Sequence, residues 1–153
     1  MITIFTTPKD FAGIIKVIQI NALRSWRNLS SEIQIIIFGD SKGSKQAAKD
    51  IGAEYISKVK CSSLGTPFIS DLFLQADKIA KFPILTYINS DIILPENFLS
   101  TIHITSKSLK KFLLVGHRWD MNVSNIINYD NKVERNTFWD RVKSESKQHA
   151  CTG

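Results

Sequence analysis

Short, nearly uninterrupted apolar runs alternate with longer segments of helical periodicity along most of this 153-residue chain. A strand that is apolar on both faces has to be covered on both faces, as strands are in a parallel sheet with helices above and below it. The alternation therefore predicts an α/β fold with a mostly parallel sheet of about five strands and helices on both faces. The predicted strands are residues 2–6, 33–40, 53–56, 83–89 and 112–117.

The segments between these runs have apolar residues at helical spacing. In the first helix, predicted over residues 11–26, Asp10 is placed to cap the N-terminus. Its apolar stripe consists of Phe11, Ile14, Ile15, Ile18, Ala22 and Trp26. Further helices are predicted over residues 44–52, from Thr66-Pro67 onwards, over 95–109 and, in a polar segment, over 136–147.

The composition is that of one globular domain, with 43% hydrophobic and 22% charged residues. The net charge of +6 favours anionic partners such as phosphates, nucleic acid or an acidic membrane face. Lysines and arginines are scattered and no nucleic-acid recognition motif is present, so nucleic acid is not the expected partner. No stretch of 18 apolar residues occurs, so no transmembrane segment is expected.

The two cysteines, Cys61 and Cys151, are far apart and belong to no CxxC motif or Cys/His cluster. This pattern argues against a disulfide framework or a structural zinc site and is typical of a reducing compartment. The N-terminus lacks the basic and apolar regions of a signal peptide. Together these features predict a cytoplasmic protein.

Polar residues follow four of the predicted strands at their carboxyl ends, where open α/β sheets bind ligands. The four segments are Thr6-Thr7-Pro8-Lys9, Gly39-Asp40-Ser41, Asn89-Ser90-Asp91 and His117-Arg118-Trp119-Asp120. One such segment alone is most often a turn or a helix cap. Four of them at one sheet edge predict a binding site.

The sequence contains neither a GxGxxG nor a GxxxxGK[ST] motif, which argues against a Rossmann dinucleotide site and a P-loop. A bound phosphate would then need another neutralising group. Asn89 and Asp91 offer an amide and a carboxylate oxygen, which Mg²⁺ and Mn²⁺ accept as ligands while keeping positions open for substrate phosphate. These two residues are therefore the predicted ligands of a divalent cation.

"YINSDIIL", residues 87–94, resembles the DxD-type motif of GT-A glycosyltransferases. The segments "TTPKD", "FGDSKG", "GTPFISDLF" and "VGHRWD" extend this resemblance over residues 1–120. It implies a GT-A fold and metal-dependent, manganese- or magnesium-assisted transfer from a nucleotide-diphosphate sugar. The acceptor would be an unknown glycan or small molecule.

The resemblance also implies roles for single residues. Asn89 and Asp91 would bind the metal, with Asn89 a departure from the acidic residue usual at the first motif position. His117 or Asp120 would be the catalytic base. The residues that would bind the nucleotide sugar are Thr6, Thr7, Pro8, Asp40, Ser90 and Arg118. Of these, Asp40 would contact the nucleobase.

The family resemblance divides the chain into a nucleotide-sugar-binding α/β domain, residues 1–120, and a polar extension, residues 121–153. The extension is expected to be the start of an incomplete acceptor-side region. A non-catalytic nucleotide-binding or interaction module is therefore the main alternative function. A sugar-phosphate nucleotidyltransferase is a lower alternative, because "TTPKD" lacks the glycines of that family's loop.

Overall fold

A computed structural model describes residues 1–149 of the chain, and residues 150–153, including Cys151, lie outside it. Strands and helices alternate through the first two thirds of the chain. The helices are α1 (Gly13–Leu29), α2 (Ser44–Asp50), α3 (Ile69–Ile79), α4 (Phe98–Ser108) and α5 (Lys132–Glu145). The strands are β1 (Thr3–Thr6), β2 (Gln34–Phe38), β3 (Glu54–Ile56), β4 (Leu85–Tyr87), β5 (Trp119–Asp120) and β6 (Lys147–Gln148).

Four strands form one parallel sheet in the order β3-β2-β1-β4. Strand β1 lies between β2 and β4, with Phe5 opposite Ile36 on one side and Tyr87 on the other. Because every strand points the same way, the segments that follow β1, β2 and β4 emerge at one edge of the sheet. The predicted α/β class with a parallel sheet is confirmed.

Helices cover both faces of this sheet, as the apolar strands predicted. On one face, Trp26 of α1, Ala48 of α2 and Ile102 of α4 pack against Ile4 and Ile35 of the sheet. On the opposite face, α3 contributes Leu72 and Ala76 to a cluster with Phe5, Ile36 and Phe38. No helix within residues 1–149 is long and apolar enough to cross a bilayer.

The prediction of a fifth strand over residues 112–117 is wrong. This segment is not part of the parallel sheet, and Leu113, Leu114 and Val115 are exposed. The next strand, β5, pairs antiparallel with β6 in a separate two-stranded ribbon. An apolar run is compatible with a strand, but a strand also needs a neighbouring strand to pair with. The sequence of the run does not specify that neighbour.

Two details of α1 differ from the prediction. The helix begins at Gly13, and Asp10 does not cap it but accepts a hydrogen bond from the Lys42 backbone N–H at 2.8 Å. Ile14 and Ile15 of the predicted stripe are exposed, whereas Gln19, Asn21 and Ser25 are buried. The buried face of α1 is therefore partly polar, and these side chains bond to other segments of the chain.

The segment after residue 120 contains a small core of its own, made by Ile127, Tyr129 and Phe138. Ile93, from the segment after β4, packs against this cluster. Asn21 of α1 donates to the Asn125 carbonyl at 2.8 Å and accepts from the Ile127 N–H at 2.9 Å. Contacts therefore cross the predicted division of the chain at residue 120.

Candidate functional site at the carboxyl edge of the sheet

The Asn89-Ser90-Asp91 triplet forms a tight turn directly after β4. The Ile92 N–H donates to the Asn89 carbonyl at 3.1 Å, which closes the turn. Asn89 and Asp91 are exposed, whereas Ser90 between them is buried. The carboxylate therefore avoids the cost of burial, and the amide and carboxylate of the predicted metal pair both reach solvent.

Tyr87, the last residue of β4, reports on the position of Asp91. Burial raises the pKa of the Tyr87 phenol, and the negative charge of Asp91 raises it further. Both effects disfavour the phenolate. The charge of Asp91 therefore reaches the Tyr87 phenol, whose ring packs against Phe5 and Phe73.

Gln19 joins the turn after β4 to the loop after β1. Its side-chain amide, 2% exposed, accepts from the Lys9 N–H at 2.8 Å and donates to the Lys9 carbonyl at 2.9 Å. The same Gln19 oxygen accepts from the Ser90 hydroxyl at 2.8 Å. One buried amide thus fixes two segments that were predicted to hold the nucleotide and the metal.

Gln19 was missed in the sequence, although a signal for it exists. It lies one turn from Ile15 and Ala22 along the helix, where an apolar residue would be expected. A buried polar side chain has to find hydrogen-bond partners, so its position predicts a tertiary contact. The identity of the partners, Lys9 and Ser90, depends on how distant segments pack and could not be predicted.

The loops after β1 and β2 are joined by a second set of bonds. The Ser41 hydroxyl donates to the Pro8 carbonyl at 2.8 Å, and the Phe11 N–H donates to the Lys42 carbonyl at 2.8 Å. Gly39 has a φ of +92°, and a Cβ there would lie 3.3 Å from the Thr7 hydroxyl oxygen. Glycine is therefore favoured by the backbone conformation, and a Cβ would also crowd the Thr7 hydroxyl.

The predicted nucleotide-binding residues differ in their accessibility. Thr6 and Pro8 are buried, and the Thr6 hydroxyl finds no hydrogen-bond partner within residues 1–149. Thr7 is half-buried and Asp40 is exposed. Of the predicted nucleotide-binding residues at the ends of β1 and β2, Thr7 and Asp40 are therefore the ones with solvent-accessible side chains.

His117, Arg118 and Asp120 do not follow a strand of the parallel sheet. Asp120 lies in β5 of the ribbon and Arg118 directly precedes that strand, with its guanidinium 3.1 Å from the Asp120 carboxylate. His149 hydrogen-bonds to the same carboxylate, and this bond, together with the charges of His149 and Arg118, lowers the Asp120 pKa. The expectation that these residues end a fifth strand beside Asn89 and Asp91 is therefore wrong.

The residues at the turn fit a cation that is shared with a phosphate ligand. Within residues 1–149, no group of three or more His, Cys, Asp or Glu side chains is arranged to hold a metal ion. Mg²⁺ and Mn²⁺ are commonly held by one or two protein oxygens, with water and substrate phosphate completing the shell. The exposed oxygens of Asn89 and Asp91 match that donor set.

No protein-family model matches the chain, and no curated protein is significantly similar to it in sequence.

Proposed function

We propose that this chain binds a nucleotide-diphosphate sugar together with Mn²⁺ or Mg²⁺ at the carboxyl edge of its parallel sheet, as a glycosyltransferase or its donor-binding half. One observation carries the proposal. The bonds Ser41–Pro8, Lys9–Gln19 and Ser90–Gln19 join the ends of β2, β1 and β4 into one continuous surface. Open α/β sheets bind their ligands at such a surface.

Asn89 and Asp91 would hold the cation. When bound, it supplies Lewis-acid stabilisation of the negative charge that a leaving diphosphate gathers. Because Ser90 is held by Gln19, the turn presents its two flanking side chains without having to reorganise. Less conformational entropy is then lost when the ligand binds.

Asp40 would accept hydrogen bonds from the base or the ribose, since it is exposed after β2. Thr7, against Gly39, would lie beside it. The nucleoside would then lie at the ends of β1 and β2, and the diphosphate at the end of β4. These three strands are neighbours in the sheet, in the order β2-β1-β4.

The second candidate is a binding module without transfer, and the state of Asp120 favours it. A general base needs to take up a proton near neutral pH. The bonds to His149 and Arg118 lower the Asp120 pKa, which weakens it as a base. Acceptor-dependent release of nucleoside diphosphate from nucleotide sugars would distinguish an enzyme from such a module.

Calorimetric titration with a panel of nucleoside diphosphates, with and without Mn²⁺, tests the proposal. We expect binding that requires the metal and is lost in Asp91→Ala, while the Asp91→Ala fold remains cooperative because Asp91 is exposed. Asp77→Ala is the matched control, since Asp77 is exposed on α3. Equal affinity of native protein and Asp91→Ala would contradict the metal role.

A further inference from the structure

The segment between α4 and β5 combines exposed apolar side chains with positive charge. We define it as the basic apolar segment, residues 107–119. Leu113 is 89% exposed, Val115 76% and Trp119 60%. Soluble proteins rarely expose several large apolar side chains together unless the surface serves an interaction.

Three lysines immediately precede these apolar residues in the segment. Lys107, Lys110 and Lys111 are all exposed, and none of them forms an ion pair with another residue among 1–149. No aspartate or glutamate occurs between Asn97 and Trp119. The three lysines therefore present positive charge that no acidic side chain among residues 1–149 pairs with.

We infer that the basic apolar segment docks this protein onto an anionic lipid bilayer. Anionic headgroups complement the three lysines, and their long aliphatic stems allow the charge to stay at headgroup level while neighbouring apolar side chains penetrate. Leu113, Leu114 and Val115 supply the penetrating surface. Trp119 is of the residue type enriched at the membrane–water interface.

The backbone limits how deep the segment enters. Residues 110–116 make no backbone hydrogen bond to any part of the chain that the structure describes. Unpaired N–H and C=O groups are excluded from the hydrocarbon core but remain hydrated among the headgroups. The docking is therefore interfacial and peripheral, and its strength depends on salt.

The charge pattern disfavours a second copy as the occupant. In a two-fold symmetric contact, the same segment would face itself and bring lysines of both copies together. Like charges at an interface weaken association, and lysine is depleted from the centres of protein–protein interfaces. An anionic bilayer, in contrast, attracts the lysines and leaves them hydrated at the level of the headgroups.

Co-sedimentation of the 153-residue chain with lipid vesicles tests the inference. We expect binding to phosphatidylcholine vesicles that contain phosphatidylserine, little binding to phosphatidylcholine alone, and release when salt is raised from about 0.1 M to about 0.5 M. Trp119 emission should shift to shorter wavelength on binding. The shift should be absent in Trp119→Phe.

Two double variants separate charge from apolar contact. Lys110→Glu with Lys111→Glu should weaken binding by about thirtyfold or more, and Leu113→Ser with Leu114→Ser by about tenfold. Lys45→Glu with Lys49→Glu on α2 is the control, since both lysines are exposed and the charge change is the same. Thermal unfolding should be unchanged in all three, because each alters exposed side chains.

Three results would overturn the inference. Equal loss of binding in the α2 control would mean that net charge, and not this segment, attracts the vesicles. Equal binding to phosphatidylcholine alone would exclude recognition of anionic lipid. Absence of vesicle binding, with self-association that Leu113→Ser and Leu114→Ser abolish, would identify a second copy as the occupant.

Discussion

Ser90 and Asp91 are neighbours in the sequence but have opposite environments. Ser90 is buried and donates to Gln19 at 2.8 Å, whereas Asp91 is exposed. The sequence shows a polar triplet that interrupts an apolar run, and such a triplet has either a structural or a ligand-binding role. The structure assigns Ser90 the structural role and leaves the side chains of Asn89 and Asp91 free to face a ligand.

The Tyr87 phenol provides a test of where the Asp91 carboxylate lies. The negative charge of Asp91 disfavours the phenolate, so Asp91→Asn should lower the Tyr87 pKa. The pKa should stay above the ordinary tyrosine value, because burial is the larger cause and remains. Titration of the labelled tyrosine rings by NMR, assigned with Tyr87→Phe, gives the measurement.

Asp77→Asn should leave the Tyr87 pKa unchanged, because Asp77 lies on α3 and is not among the charges that act on this phenol. A Tyr87 pKa that is the same in Asp91→Asn and in the native protein would show that the carboxylate points away from the sheet face.

At the scale of elements, the sequence predicted β1 to β4 but not the state of residues 112–117. The core strands β1 and β2 are joined by α1 and buried along their whole length, and the sequence indicates this through apolar runs on either side of a helical segment. Residues 112–117 also contain an apolar run, but residues 113–117 remain exposed. The difference depends on tertiary pairing, which is not encoded in a short run.

The candidate site was predicted in the same partial way. Parallel strands place their carboxyl ends at one edge, so the convergence of the segments after β1, β2 and β4 follows from the fold class. Burial of Ser90 could not be predicted, because it depends on a bond to Gln19 of α1, a distant part of the chain. A polar residue of α1, Gln19, holds the loops of the site together. Helical periodicity identifies the apolar residues of a helix, so it does not reveal this role.

Removal of the Gln19 amide should destabilise the protein more than removal of the Ser90 hydroxyl, which is only one of its hydrogen-bond partners. Gln19→Leu leaves the Ser90 hydroxyl and both Lys9 backbone groups without this partner, and we expect a loss of about 2–4 kcal/mol. Ser90→Ala should cost about 1 kcal/mol, because Gln19 keeps its bonds to Lys9. Urea denaturation gives both values.

The double variant should lose less than the sum of the single losses, since the two residues share a bond. Gln46→Leu on α2 is the matched control, because its one side-chain bond, to Asp50, is exposed. Similar small losses for Gln19→Leu and Gln46→Leu would mean that the two loops hold their positions without α1.

At the scale of the whole molecule, α1 connects the sheet to the segment after β4 and to the segment after residue 120. Trp26 packs in the sheet core and donates to the Ile92 carbonyl at 2.8 Å. Ser25 accepts from the Leu94 N–H at 3.0 Å, and Asn21 bonds to residues 125 and 127. The segment after β4 and the segment after residue 120 are thus both attached to one helix.

These contacts predict that the C-terminal cluster and the sheet unfold together. Phe138→Ala should destabilise the chain by about 3–5 kcal/mol, because it removes a buried aromatic ring from the cluster of Ile127 and Tyr129. In amide spectra recorded along a urea titration, signals from β2 and α5 should disappear at one common midpoint. Phe138→Ala should lower that midpoint equally for both elements.

Val133→Ala on the same helix is the control, since Val133 is exposed. This variant should keep a free energy of unfolding within about 0.5 kcal/mol of the native value. The contrary result is an α5 midpoint that falls in Phe138→Ala while that of β2 stays. Residues beyond 120 would then form a separately stable unit, and the Asn21 bonds to Asn125 and Ile127 would contribute little to the sheet. A shared shift would instead mean that the candidate site at the sheet edge depends on the C-terminal cluster for its stability, because both are attached to α1.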